Sequence, residues 1–313
     1  MTLPWRRARV LGAIAIALFS ALPAAAETAC PPLPSVDQGT PRDRGLLWKL
    51  TRDGRVSYLF GTLHIGRPGW ERFGAATLRA LLSSDTVALE IDPTDPATLS
   101  GMAEPSGGTA AVALPPALHE RLARAAERAC LPPGALPSLH PILQVAVLTL
   151  AEARWLGLDA RFGFDAMLAV SARAAGRSVR ALETAAVQRA ALVPADAGDG
   201  GAAQVAETLD QIEGGAARRV LARLVQAWVA GDLATLERYE DWCECAPDAG
   251  DQALMQRVND GRNPALADGI AALHGQGLRV FAAVGALHMT GPQALPRLLA
   301  ERGFQVERVA FSR

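Results

Sequence analysis

Apolar and polar residues alternate along this chain with two different periods, and the places where the period changes divide it. From Leu46 the pattern is strand-like: Leu47-Trp48-Lys49-Leu50-Thr51, then Asp53-Gly54, then Val56-Ser57-Tyr58-Leu59-Phe60. An Asp-Gly pair between two such runs predicts a β-hairpin. After Pro68-Gly69, Trp70 to Leu82 has helical periodicity, and Thr86 to Ile91 reads as a short β-branched strand closed by Asp92-Pro93. From about 96 to 250 helical stripes dominate, over Leu114 to Ala129, Pro141 to Leu156, Phe164 to Ala175, Ala203 to Ile212 and Gly215 to Val229. One strand interrupts them, from Arg177 to Leu182, ending at Glu183-Thr184. The α/β alternation then returns: a helix over Pro264 to Leu273, an apolar strand over Leu278 to Val284, a helix over Pro292 to Arg302 and a final strand over Phe304 to Phe311. Continuous apolar strands imply a sheet covered on both faces. The pattern therefore predicts an α/β domain over 46–313, with a mixed central sheet flanked by helices and a large helical insertion. Residues 27–45, rich in Pro, Asp and Gly, form an extended lead-in.

One short pattern occurs twice. Leu59-Phe60-Gly61-Thr62-Leu63-His64-Ile65-Gly66 and Ala283-Val284-Gly285-Ala286-Leu287-His288-Met289-Thr290-Gly291 both run from a strand through Gly-x-Leu-His into a glycine turn. Each places a histidine just past the carboxyl end of a strand, where open α/β sheets present ligand-binding groups. The leucine is uninformative, because all five histidines follow one; the glycine three residues earlier is found only at His64 and His288. Such a glycine admits a positive φ and lets the backbone approach a bound ion or substrate. A tight turn around a buried, hydrogen-bonded histidine is the competing explanation. His119, His140 and His274 read as structural, the last as a cation suited to a helix C-terminus beside Gly275.

The amino terminus changes the picture of where the chain works. Arg6, Arg7 and Arg9 precede an apolar run from Val10 to about Leu22 and then Pro23-Ala24-Ala25-Ala26, the three parts of a signal peptide cut after Ala26. The run falls short of the roughly 20 residues a spanning helix needs, so no stable membrane anchor is expected after cleavage, and the protein is expected to be periplasmic or secreted. Losing three arginines and no acid takes the formal charge from -1 to -4. A mildly acidic chain without a basic block argues against nucleic acid as a partner. Cys30, Cys130, Cys243 and Cys245 then suggest two disulfides of unknown connectivity, with a Cys-x-Cys metal clip at Cys243 and Cys245 as the alternative.

Among acidic residues Glu90 stands out: alternation puts it and Asp92 on one face of a buried strand, where a carboxylate must be paired, protonated or metal-bound. A salt bridge to an arginine is the plain alternative. Glu183 raises the same question at another strand end, and Asp165 reads as a cap for the helix beginning at Phe164. Taken in order, Gly61-Thr62-Leu63-His64, Leu89-Glu90-Ile91-Asp92, Gly163-Phe164-Asp165-Ala166-Met167-Leu168, Ala181-Leu182-Glu183-Thr184, Arg262-Asn263 and Val284-Gly285-Ala286-Leu287-His288 resemble the TraB/GumN family, which includes the animal Tiki proteins, metal-dependent proteases. The resemblance implies a fold distantly similar to erythromycin esterase and ChaN. It also implies a divalent metal (manganese, cobalt or zinc) on His64 and His288, with Glu90 as ligand or general base. Glu183 would be a second carboxylate, and Arg262 and Asn263 would orient substrate or stabilise an oxyanion. The implied activity is metal-dependent hydrolysis of a peptide or small-molecule substrate. A non-catalytic binder of metal, haem or a peptide signal is the second expectation.

Overall fold

Asp53 and Gly54 both adopt positive φ, the backbone of a two-residue hairpin turn, and join β1 (Leu46–Arg52) to β2 (Arg55–Thr62) in antiparallel register with Arg52 opposite Arg55. The computed structural model describes residues 30–103, 114–194, 201–244 and 249–311. The expected leader and its cleavage after Ala26 lie outside these residues, as does Cys245. The remaining strands are β3 (Thr86–Leu89), β4 (Ser178–Ala181), β5 (Val280–Gly285) and β6 (Gln305–Arg308). All six form one sheet in the order β4-β3-β5-β2-β1-β6. The first four in that order are parallel; β1 runs antiparallel to both its neighbours. This is the mixed α/β sheet expected.

The helices in chain order are α1 (Ala75–Ser83), α2 (Pro96–Ala103), α3 (Pro116–Arg128), α4 (Pro141–Ala151), α5 (Phe164–Ala174), α6 (Ala185–Leu192) and α7 (Ala202–Glu213). They continue with α8 (Ala216–Ala230), α9 (Leu233–Glu237), α10 (Tyr239–Trp242), α11 (Ala249–Met255), α12 (Asn263–Gly275) and α13 (Leu295–Glu301). Helix α1 starts five residues later than the periodicity suggests. Trp70 and Phe73 instead turn into the core, and the Asp43 carboxylate caps the helix from the lead-in, accepting from Ala76 N at 3.1 Å and Thr77 N at 2.8 Å. Helix α4 is shorter than expected, because Glu152–Leu156 tightens into a 3-10 turn ended by Gly157.

Two apolar clusters hold the molecule. The larger surrounds the sheet and includes Leu46, Leu50, Phe60, Leu89, Phe164, Trp228 and Phe281; the smaller lies within the insertion, around Leu122, Ile142, Val145, Leu148, Val205 and Leu209. Helix α8 contributes to both, Ala217 to the smaller and Leu221, Ala227 and Trp228 to the larger. Trp228 reaches from α8 into the sheet cluster with its ring 4.5 Å from that of Phe164, and its indole N–H donates to Gly61 O at 2.7 Å. Cys30 pairs with Cys130, tying the lead-in to the end of α3, and Cys243 is also disulfide-bonded. A disulfide at Cys243 removes the thiolate that the metal-clip alternative required. No helix among the described residues is long and apolar enough to cross a membrane.

Candidate functional site

The four parallel strands end side by side, and each delivers one polar side chain to the same edge: Glu183 after β4, Glu90 after β3, His288 after β5 and His64 after β2. Pairing of β3 with β4 continues past the strands, Leu182 N to Leu89 O at 2.7 Å and Glu183 N to Glu90 O at 3.0 Å, which sets the two glutamates level. Thr62 pairs with Gly285, so His64 follows that rung by two residues and His288 by three. Residues more than two hundred positions apart thus meet at one sheet edge.

Each imidazole is fixed through Nδ1. His64 Nδ1 lies 2.7 Å from Asp165 Oδ2, and the other oxygen of Asp165 accepts from Thr62 Oγ1 at 2.8 Å. Asp165 is therefore not a helix cap: Gly163 occupies the cap position of α5, Phe164 N donates to Leu63 O at 2.8 Å, and the Asp165 side chain turns inward to His64. His288 sits in a 3-10 turn, Ala286–Met289, with Nδ1 2.5 Å from Asn263 Oδ1. The Asn263 amide donates to His288 O at 3.3 Å and Gln293 O at 2.8 Å. Fully buried with every polar atom engaged, Asn263 has none left for a substrate; it orients His288. An amide oxygen at Nδ1 requires Nδ1–H on His288, so Nε2 carries the lone pair.

The carboxylates share one cation. Glu90 Oε2 lies 2.5 Å from Arg262 Nη2 and 3.2 Å from Gln188 Nε2, while Glu90 Oε1 accepts from Gly285 N at 2.7 Å. Glu183 takes Arg262 Nε at 3.2 Å and also contacts Nη2 of the same guanidinium. A π-helical turn, Gln256–Asp260, precedes Arg262 and carries it over the sheet edge. His288 Nε2 is 3.5 Å from Arg262 Nη1 and 3.7 Å from Glu90 Oε2. Expected alternation does not carry Asp92 to this cluster. The strand stops at Leu89, and Asp92 turns to Thr94 and Arg173.

Gly285 lies beneath these groups. A methyl group added there would stand 3.3 Å from Glu90 Oε1, 3.5 Å from His288 Cδ2 and 3.9 Å from His64 Nε2. Its φ is -48°, and Gly61 is likewise not at positive φ, so neither glycine is required by a left-handed backbone, contrary to one half of the sequence argument. Close approach is the half that holds.

Electrostatics distinguish the two histidines. The Asp165 carboxylate raises His64 to about 9 against the opposing effect of burial. Burial pushes His288 down to about 4, overriding the attraction of Glu90. Burial would raise Glu90 too, but His288 when protonated, Arg262, His64 and the Gly285 N–H outweigh it and keep the carboxylate well below its usual range. Glu183 is raised, burial prevailing over Arg262. The His64 side chain is 53% exposed, and the surface it exposes faces a cavity.

That cavity, about 580 Å³, is open at the sheet edge and covered by the insertion. His64, Glu90, Asp165, Arg262 and His288 form its polar floor; α4, α6 and α8 and the π-helical turn form its walls. Glu183 does not line it and reaches it only through Arg262. Among the described residues no three His, Cys, Asp or Glu side chains are gathered closely enough to hold an ion as they stand. The donors nevertheless fit a divalent metal in kind: two imidazoles with Nδ1 anchored by other side chains, and an ionised carboxylate, around a glycine that leaves space between them.

The other histidines stay outside the site. His119 is exposed on α3, and His140 caps α4, accepting from Ile142 N at 3.3 Å. His274 is not a cation at a helix end but a fully buried neutral ring, lowered by burial, between Ser57 Oγ at 2.9 Å and Arg52 O at 3.0 Å. The site residues the pattern underrated are Asp165, whose position in a first helical turn resembles a cap, and Gln188, which lies on a helix outside the predicted stripes.

The class defined is a mixed α/β protein with paired Gly-x-x-His turns and buried carboxylates at the carboxyl edge of its sheet. The chain belongs to the TraB/PrgY/gumN family, whose sequence model it matches over residues 46–308. It is also similar to the uncharacterized protein YbaP of Shigella flexneri, 29% identical over 250 residues that make up 78% of this chain and 88% of that protein. No solved structure matches it significantly.

Proposed function

We propose that this protein is a periplasmic or secreted metal-dependent hydrolase, peptidase-like in its chemistry. The observation that carries the reading is the pair of imidazoles, each tied at Nδ1, with His64 Nε2 over Gly285 and His288 Nε2 3.7 Å from Glu90 Oε2. His64, His288 and Glu90 are the residues to hold the ion. A divalent metal there, manganese, cobalt or zinc, would supply Lewis acidity and lower the pKa of a bound water.

The chain's own residues have separable tasks. Of the two carboxylates that line the cavity Asp165 is taken up by His64 and Thr62, so Glu90 is the one placed to take the proton given up by water as the carbonyl carbon is attacked, and to return it to the leaving nitrogen as the C–N bond breaks. Arg262 holds Glu90 in one rotamer and balances its charge; Glu183 holds Arg262. Asp165 and Asn263 orient the two rings. His64, protonated near neutrality without metal, must lose a proton to become a ligand, so metal uptake should release protons and strengthen with rising pH.

The test is metal titration of the exported, purified protein by calorimetry, followed by peptide-library cleavage with and without chelator. Wild type should take up about one divalent ion per chain. His64→Ala and His288→Ala should each lose it while still unfolding cooperatively, and His119→Ala should behave as wild type. Failure of wild type to bind manganese, cobalt or zinc would end the metal reading. A second reading, a non-catalytic holder of metal, haem or a peptide signal, is favoured by Arg262, which already balances Glu90 and Glu183 without an ion. Peptides bound but left uncut with every metal would establish it.

A further inference from the structure

A second cavity, of about 450 Å³, lies against another face of α8. Leu221 and Leu224 line the cavity at the sheet edge, whereas Ala222, Val225, Val229 and Ala230 line this one together with Leu156 and Leu158. The two cavities share no lining residue. Leu156, Val225 and Val229 are only half-buried, so the second cavity leaves aliphatic surface in water that a ligand would gain by covering.

One charge faces this apolar wall. Arg67 is the only charged residue that lines the cavity, and its guanidinium lies over the Trp70 ring, 5.4 Å from the centroid. Its nearest carboxylate is already used: Asp37 Oδ2 takes Arg44 Nη2 at 2.7 Å, and Oδ1 accepts from Gly39 N at 3.0 Å. Arg67 Nη2 stays 3.8 Å from Asp37 Oδ2, beyond hydrogen-bonding distance. Asp37 also faces Arg42, so one carboxylate answers three guanidinium groups and leaves positive charge uncompensated. Two buried donors on the lining residues, Arg67 Nε and Trp70 Nε1, find no acceptor among the described residues, and Trp70 is 4% exposed. A ligand that brings an anionic oxygen to Arg67 supplies the acceptor that the fold itself does not.

The rest of the wall excludes most anions. Gln226 is the one uncharged amide that lines the cavity, so the successive N–H and C=O groups of a peptide would be buried there largely without partners. An acyl chain has no such groups to satisfy. We propose that this cavity binds an aliphatic monocarboxylate, its chain along Leu156, Val225 and Val229 and its carboxylate against Arg67. This site is separate from the sheet edge and needs neither metal nor turnover.

The experiment is calorimetry on the full exported protein with chelator present, using decanoate, decanol, decyltrimethylammonium and acetate below their micellar concentrations. Decanoate should bind about threefold to fivefold more tightly than decanol, a modest factor because the Arg67 side chain is 38% exposed. Decyltrimethylammonium should bind more weakly than decanol, and acetate should not bind where decanoate saturates. Arg67→Gln should bring decanoate down to the affinity of decanol. Ala222→Phe, which fills the cavity, should weaken decanoate and decanol alike by at least about tenfold. If Ala222→Phe does not fold, Arg67→Gln on the partly exposed side chain decides the matter. Equal binding of decanoate and decanol by wild type overturns the proposal, as does acetate binding as tightly as decanoate. A preference for decanoate that survives Arg67→Gln places the carboxylate elsewhere and overturns it too, as does decanoate affinity unchanged in folded Ala222→Phe.

Discussion

His64 and His288 are held at the same ring nitrogen by partners of different charge, and that difference accounts for their opposite titration. Asp165 offers His64 a carboxylate, which stabilises an imidazolium; Asn263 offers His288 an amide oxygen, which does not, so burial decides. One substitution should convert the first environment into the second. Asp165→Asn keeps the shape but removes the charge; with its single oxygen toward His64 Nδ1, its amide N–H faces Thr62 Oγ1, which can accept. In metal-free protein the His64 pKa should then fall from about 9 toward the ordinary 6.5, followed through its ring proton resonances. A His64 titration that remains near 9 in the variant would show that Asp165 is not its cause. The variant should also take up metal with less proton release, because the ring has less to lose. Asp165 is thus a positioning residue with an electrostatic signature, which a helix cap would lack.

The two Gly-x-x-His turns match in sequence but differ as elements. At Gly61 an added methyl group would stand 3.2 Å from Ala286 Cα, and also against Leu46 Cβ and Met289 Cγ at 3.4 Å; backbone in the neighbouring turn cannot easily yield. At Gly285 only Glu90 Oε1, at 3.3 Å, is tight, and His288 Cδ2 and His64 Nε2 stand at ordinary contact distance, so little has to yield. Gly61→Ala should therefore cost about 1–3 kcal/mol in urea unfolding, by overpacking. Gly285→Ala should cost about 1 kcal/mol or less and yet abolish metal uptake, since it fills the space the donors face. A strongly destabilised Gly285→Ala with intact metal uptake would contradict this division. The same contrast marks how far the sequence can be read. Strands, their carboxyl-end histidines and the insertion are legible because period and turn chemistry are local. The Arg262 link between Glu90 and Glu183 is not, since a π-helical turn and a register between strands about ninety residues apart bring the three together. Asp165 reads as a cap because a first-turn carboxylate looks the same in sequence whether it turns to the helix or away from it. The two glycines suggest backbone freedom, when what they supply is close approach.

For the molecule as a whole, insertion and sheet are coupled where the site lies between them. Trp228 anchors α8 to the carbonyl of Gly61, one turn from His64, and Cys30–Cys130 ties the lead-in to α3, so the walls and floor of the cavity are parts of one folded unit. Protonation at its buried histidines should therefore register in global stability. His274 and His288 have folded pKa values lowered by burial, so below the ordinary 6.5 the unfolded chain binds protons that the folded one refuses. Their contribution is complete above 6.5 and is lost as pH falls below it, for His288 down through about 4. His64 is raised, so its contribution is complete below 6.5 and is lost as pH rises through about 9. In chelated protein, stability should peak near 6.5 and decline on both sides, more steeply on the acid side. Two buried rings act there, whereas the His64 side chain, 53% exposed to the cavity, is partly screened by solvent. Urea unfolding at a series of pH values measures the profile. His274→Gln should flatten the acid limb and His64→Gln the alkaline one. Stability that is flat from 6.5 to 9 in wild type would mean that the Asp165 pairing does not survive in solution, and an acid limb unchanged by His274→Gln would mean that this ring is not held neutral between Ser57 and the Arg52 carbonyl.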